Sequence, residues 1–189
     1  IGFDTFVGKA TRVDDKTLTT DNLADFAVYG AVTNTVDATS ATALIFDNVK
    51  VAKNGVGMEV DNYAGQTTTE WKYEGTQYWI AGATYNFAAV APYKCGAKGA
   101  FDAENKTTTI NFTNDAVTDL LYAQTLGVTG ADKGNEAVGF DFRHVLSKVK
   151  FSFKNEYNAT NATIRVENVK INDAYASGVA TLNANTAWT

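Results

Sequence analysis

The stretch NVKVAKNGVGMEV, residues 48–60, decides the class of fold. Asn54-Gly55 stands between two alternating apolar arms, and that dipeptide suits a two-residue hairpin turn whose central positions both need positive φ. The register it predicts pairs Val49 with Val60, Lys50 with Glu59 and Val51 with Met58. Apolar side chains then meet on one face and opposite charges on the other, as cross-strand energetics favour.

Working outward, the same signals recur along the chain. FAVYG (26–30), TALIF (42–46), EWKY (70–73), QYWIAGATYNFAAVAPY (77–93) and TTTINF (107–112) read as strands, and Pro92 is expected to end its strand or lie on an edge. In SKVKFSFK, Val149, Phe151 and Phe153 alternate with Lys148, Lys150, Ser152 and Lys154. Phe140 and Phe142 upstream are expected to join them in the core. In TIRVENVKI, Ile164 and Val166 share a parity that Val169 and Ile171 break, which predicts a β-bulge or bend near Glu167-Asn168. NDAVTDLLYAQTL (114–126) is expected to be irregular before running into a strand, and GVTGADKGNEAVG (127–139) to be an exposed loop. Many short strands separated by turn signals imply a two-sheet β-sandwich.

Composition sets outer bounds. A chain of 189 residues with 45% hydrophobic content, 11 Phe, 9 Tyr and 3 Trp can bury a sizeable core. A net charge of −5 argues against a nucleic-acid backbone or an anionic membrane surface as partner, since both need clustered cations. No apolar run approaches the roughly 18 residues that span a bilayer, so the chain is not expected to be transmembrane. With one cysteine, Cys95, no internal disulfide is available, and the residue reads as a small buried or semi-exposed side chain.

The chain is poor in versatile chemistry, and neither an enzyme nor a cofactor or metal site is expected. His144 is the sole histidine. Asp141, His144 and Ser147 are evenly spaced, but residues three apart on a strand face opposite ways and cannot form a relay among themselves. Zinc would want several Cys or His. The acidic run with Asp14, Asp15 and Asp21 lacks the alternating ligands and central glycine of an EF-hand loop. The Asn-x-Thr tripeptides at Asn105, Asn111, Asn158 and Asn161 read as turn and strand residues. The one candidate platform for a ligand is aromatic: Trp71, Tyr73, Tyr78 and Trp79 fall close together, and an exposed set of such rings could stack on a sugar.

One stretch is harder to place. The chain begins IGFDTFVGKATR, a strand-like run with Ile1, Phe3, Phe6 and Val7, followed by a polar segment around Arg12. That opening, together with FAVYG, YW followed by YNFAAVAPY, DLLYA and FDFRHVLSKVKFSF, resembles in order the fimbrillin family, the type V pilin subunits and related surface proteins of Bacteroides-like bacteria. The resemblance implies an all-β, transthyretin-like two-sheet Greek-key β-sandwich. It implies that residues 1–189 are one such domain, similar to a fimbrillin amino-terminal domain whose carboxy-terminal companion is absent. It further implies export through a lipoprotein precursor to the outer membrane and cell surface, and a structural or adhesive role in a pilus with other pilus subunits as partners. In that picture residues 1–7 are a displaceable first strand, Arg12 is the protease-processing site, and the vacated groove accepts a strand from the next subunit. Host molecules or glycans are further candidate ligands, and a surface glycan-binding module using the four aromatics is the alternative expectation.

Overall fold

Two apolar runs, Asp25–Thr33 and Thr84–Ala91, are buried almost from end to end, and the rest of the fold is arranged to cover both of their faces. The computed structural model describes residues 1–8, 17–33, 42–63, 66, 70–96, 99–115, 117–133, 136–147, 149–156, 163–173 and 177–183. Its strands are β1 (Phe3–Val7), β2 (Asp25–Thr33), β3 (Thr42–Lys53), β4 (Trp71–Tyr73), β5 (Thr84–Ala91), β6 (Ala100–Asp102), β7 (Thr107–Thr113), β8 (Leu121–Thr129), β9 (Val138–His144) and β10 (Ser177–Leu182). Two single helical turns, α1 (Tyr93–Gly96) and α2 (Gly130–Lys133), connect them. The strands form a seven-stranded sheet ordered β1-β9-β8-β5-β2-β3-β4 and a three-stranded sheet ordered β10-β7-β6. The protein is thus an all-β, two-sheet sandwich.

A strand covered on both faces needs no polar alternation, which is why β2 and β5 read as continuous apolar runs. On one face, Ala27, Tyr29, Ala31, Ala88 and Val90 pack with Ile110, Ala180 and Leu182 of the smaller sheet. On the other, Phe26, Val28, Phe87 and Ala89 pack with Phe3, Val138, Phe140 and Phe142. In hydrogen-bond order β9 and β2 are separated by β8 and β5, yet the Phe26 ring lies 5.9 Å from that of Phe140 and 5.5 Å from that of Phe142. The large sheet therefore rolls its β9-β1 edge back over its own centre. The ladder between β8 and β9 is short, Leu121 to His144 and Tyr122 to Arg143, and leaves room for that roll.

Several sequence expectations change here. Asn54 and Gly55 do have positive φ, 53° and 69°, but β3 does not turn back onto Met58. Its partner is β4, pairing Val51 with Tyr73 and Lys53 with Trp71, and the Asn54 amide donates to the Glu70 carbonyl at 2.6 Å. Lys50 meets Asp25 at 3.9 Å rather than Glu59, and Val60 begins a 3-10 turn, Val60–Asn62. Trp71 and Tyr73 are fully buried whereas Val60 is 65% exposed. Seating two large aromatics in the core outweighs a local turn preference, because each buries some 150–250 Å².

Residues 149–156 and 163–173 are the larger correction. They belong to no strand, and Val149, Phe151, Phe153, Ile164, Val166, Val169 and Ile171 are all exposed. Phe140 and Phe142 are core as expected; Val149, Phe151 and Phe153 are not. The bend foreseen near Glu167-Asn168 coincides with a positive φ of 56° at Asn168, without a sheet around it. Pro92 follows the last residue of β5, and residues 77–83 precede that strand without joining it. The segment before Leu121 is irregular, as read, and α2 interrupts the expected loop after Thr129.

Candidate functional site

β1 is the edge of the large sheet and pairs with β9 in parallel, from Phe3 opposite Val138 to Val7 opposite Phe142. The ladder is bracketed by the Val138 amide donating to Gly2 at 2.8 Å and the Gly8 amide donating to Phe142 at 2.9 Å. Strand alternation turns Phe3, Thr5 and Val7 inward, while Asp4 and Phe6 face solvent, Phe6 being 57% exposed. Phe6 therefore contributes nothing to the seat of the strand, although the sequence offers it as part of the same apolar run.

Phe3 holds the strand. Its ring centroid lies 5.3 Å from Phe46, 5.6 Å from Tyr73, 5.9 Å from Phe87 and 5.7 Å from Phe140, so β3, β4, β5 and β9 each supply one wall. Gly30 makes the box possible, since a Cβ there would come within 2.9 Å of both the Phe46 and Phe87 rings. Tyr73 also donates its hydroxyl to the Ile1 carbonyl at 2.8 Å and accepts the Gln77 amide at 3.2 Å. Burial raises that hydroxyl's pKa, opposed in part by the Gln77 bond, so it stays a donor. The odd-numbered amides, which do not face β9, go to side chains: Thr5 to Asp4 Oδ1 at 2.8 Å and Val7 to Thr20 Oγ1 at 3.0 Å.

Arg12, with its neighbours Lys9 and Lys16, lies outside the described residues. The chain beyond it is anchored at Leu18, whose amide donates to Asp119 Oδ2 at 3.0 Å. The same carboxylate oxygen lies 2.9 Å from His144 Nδ1, with both side chains almost wholly buried. His144 thus joins the end of β9 to the approach to β8 and to the return of the chain after Arg12. Its partner is Asp119, which sequence spacing did not single out; Asp141 and Ser147 are exposed.

The four aromatics proposed as a sugar platform are not brought together at the surface. Trp71 stacks edge-on against Phe26 at 5.0 Å, Tyr73 lines the Phe3 box, and half-buried Trp79 packs on Tyr85 at 4.8 Å. Only Tyr78, 78% exposed, presents its ring to solvent. One ring is no platform. Cys95 is half-buried, and burial pushes its thiol up to about 11, which keeps it protonated and unreactive at neutral pH. Among the described residues no helix is long and apolar enough to cross a membrane, a statement that does not extend to β-barrels.

A family model described as fimbrillin-like matches residues 11–189. The chain belongs to the fimbrillin-like family. Members of that family are structural pilus proteins of the cell surface, and a pilus-subunit role agrees with the all-β architecture found here. The match begins after β1, so the seat of the first strand is described by the structure alone. No curated protein and no solved structure matches the chain.

Proposed function

We propose that this fimbrillin-like protein is a pilus subunit that assembles by strand exchange, with residues 1–7 as the strand removed. Cleavage at Arg12 would leave residues 1–7 held by non-covalent contacts: the ladder to β9, the bonds of Ile1 to Gln77 and Tyr73 and of Val7 to Thr20, and the burial of Phe3 and Val7. Its departure would uncover an apolar cleft and the unpaired edge of β9, and a strand donated by the next subunit would satisfy both. The observation that carries the proposal is the edge position of β1 combined with the complete burial of Phe3. An edge strand can leave without unthreading the sheet, and a buried aromatic makes the vacancy worth filling. Other pilus subunits are then the partners, and the cell surface, reached through a lipoprotein precursor in the outer membrane, is the place of assembly.

An arginine-specific protease tests this directly. Arg143 is held in β9, but Arg165 is 83% exposed in its side chain and lies in no strand, so Arg165→Lys is the background in which to read Arg12. Mass spectrometry is expected to find a cut after Arg12, with electron microscopy revealing polymers of the cut protein and none of Arg12→Ala. A cut protein that loses residues 1–12, stays monomeric and binds no additional hydrophobic dye refutes the proposal.

A further inference from the structure

Of the three inward positions of β1, two are well matched to their surroundings and one is not. Phe3 fills its aromatic box, and Val7 is 6% exposed within the core cluster. Thr5, between them and opposite Phe140, has its hydroxyl oxygen shut off from solvent with no hydrogen-bond partner among the described residues. A buried hydroxyl that makes no bond is a standing penalty, and among the described residues the groove gives it no acceptor. Valine has the same branched shape without the hydroxyl, so it would sit in the same place without that cost.

We propose that the first strand is an imperfect occupant of its own groove, and that the strand replacing it carries an aliphatic β-branched residue where Thr5 now stands. This rests on the strand-exchange proposal and specifies the partner. The incoming segment is extended, with an aromatic residue in the Phe3 box, valine or isoleucine two residues on, and valine two residues after that. Its second position is best filled by a short acceptor side chain, since Asp4 Oδ1 takes the amide of the following residue at 2.8 Å. Its fourth position is free, because Phe6 is largely in solvent. The ladder to β9 is the same parallel one for either strand, so the fit of the inward side chains decides between them. Exchange then runs towards the better-fitting strand without any further source of energy.

The test offers fluorescent peptides of residues 1–8 to the full chain cut between residues 9 and 16, with capture followed by anisotropy. Relative to the native peptide, Thr5→Val is expected to bind about fivefold tighter or more, the gain from deleting an unsatisfied buried hydroxyl. Phe3→Ala is expected to lose roughly a hundredfold or more, and Phe6→Ala to match the native peptide. A Thr5→Val peptide that binds no better than native, while native is captured, overturns this inference and leaves strand exchange standing. Capture of no peptide, native included, removes strand exchange and this inference with it. The uncut chain gives an independent reading: Thr5→Val raises its melting temperature, and an unchanged or lower value overturns the inference whatever the peptides do.

Discussion

Replacing Phe3 by alanine measures what seats the first strand. The ring is fully buried and touches four other aromatics at 5.3–5.9 Å, two of them, Phe46 and Phe87, edge-on. Burial of a phenyl side chain is worth about 1.5–3 kcal/mol, and each favourable ring pair adds about 0.5–1.5 kcal/mol. The box is built from four different strands and cannot collapse on the vacancy, so the expected loss is about 3–5 kcal/mol, the usual range for a core phenylalanine. For a chain of this length each kcal/mol moves the melting temperature by roughly 2–4 °C, which puts the drop at roughly 6–20 °C. The control is Phe6→Ala on the same strand, expected to cost less than about 0.5 kcal/mol because that ring is mostly in water. Urea unfolding of the uncut chain reads both. A Phe3→Ala loss below about 1 kcal/mol, or equal losses for the two variants, would falsify the placement of Phe3 as the anchor.

Other consequences follow from the same structure. Phe151→Ala is expected to cost less than about 1 kcal/mol, since the ring is half exposed and its ring neighbour among the described residues is the exposed Phe153 at 6.4 Å; a loss of several kcal/mol would mean that residues 149–154 belong to the core after all. Gly55→Val should destabilise by about 1 kcal/mol or more, because φ is +69° and a Cβ would lie 2.5 Å from the Tyr63 ring; an unchanged melting temperature speaks against that turn. Tyr29 is pushed up to about 12, chiefly by burial and secondarily by Asp47. An unfolded tyrosine ionises near 10, so this group's contribution is intact below pH 10, declines as the unfolded chain ionises, and is lost as pH rises through 12. Alkaline titration of stability should therefore fall over pH 10–12, less steeply in Tyr29→Phe, and identical profiles would count against the burial of that hydroxyl.

What the sequence revealed and what it concealed divide along physical lines. β2 and β5 were legible because continuous apolar runs of strand-forming residues have few other uses, and Phe140 and Phe142 because their alternation is real on β9. Asn54-Gly55 announced its backbone angles but not its neighbour. Pairing of Val51 with Tyr73 instead of Met58 was decided by burial far from the turn, which no local pattern encodes. Residues 149–154 and 164–171 alternate as strands do, yet alternation states only a need for a sheet and does not supply one. The site was half legible: the apolar first run was visible, but its parallel pairing with β9, its Phe46, Tyr73, Phe87 and Phe140 box and its isolated Thr5 hydroxyl depend on contacts more than 40 residues apart. The Asp119–His144 pair was hidden because its two members lie in different segments and no local spacing links them.

An edge strand can be extended by adding a strand beside it or by replacing it, and β1 favours replacement. Addition would need the outward amides of Thr5 and Val7, and both are already taken, by Asp4 Oδ1 at 2.8 Å and Thr20 Oγ1 at 3.0 Å. A charged side chain folded onto its own edge is a familiar guard against unwanted pairing. Addition would also gain only ladder bonds, each worth about 0.5–1.5 kcal/mol net, whereas replacement gains a similar ladder and the aromatic box as well. Asp4→Ala combined with Thr20→Ala removes the guard while leaving Phe3 in place. The expected outcome is a folded, uncut chain that self-associates at high concentration, seen by sedimentation, whereas the native uncut chain does not. If the double variant stays monomeric while Arg12 cleavage still drives assembly, the side-chain caps are incidental and the aromatic box alone directs the chain towards replacement.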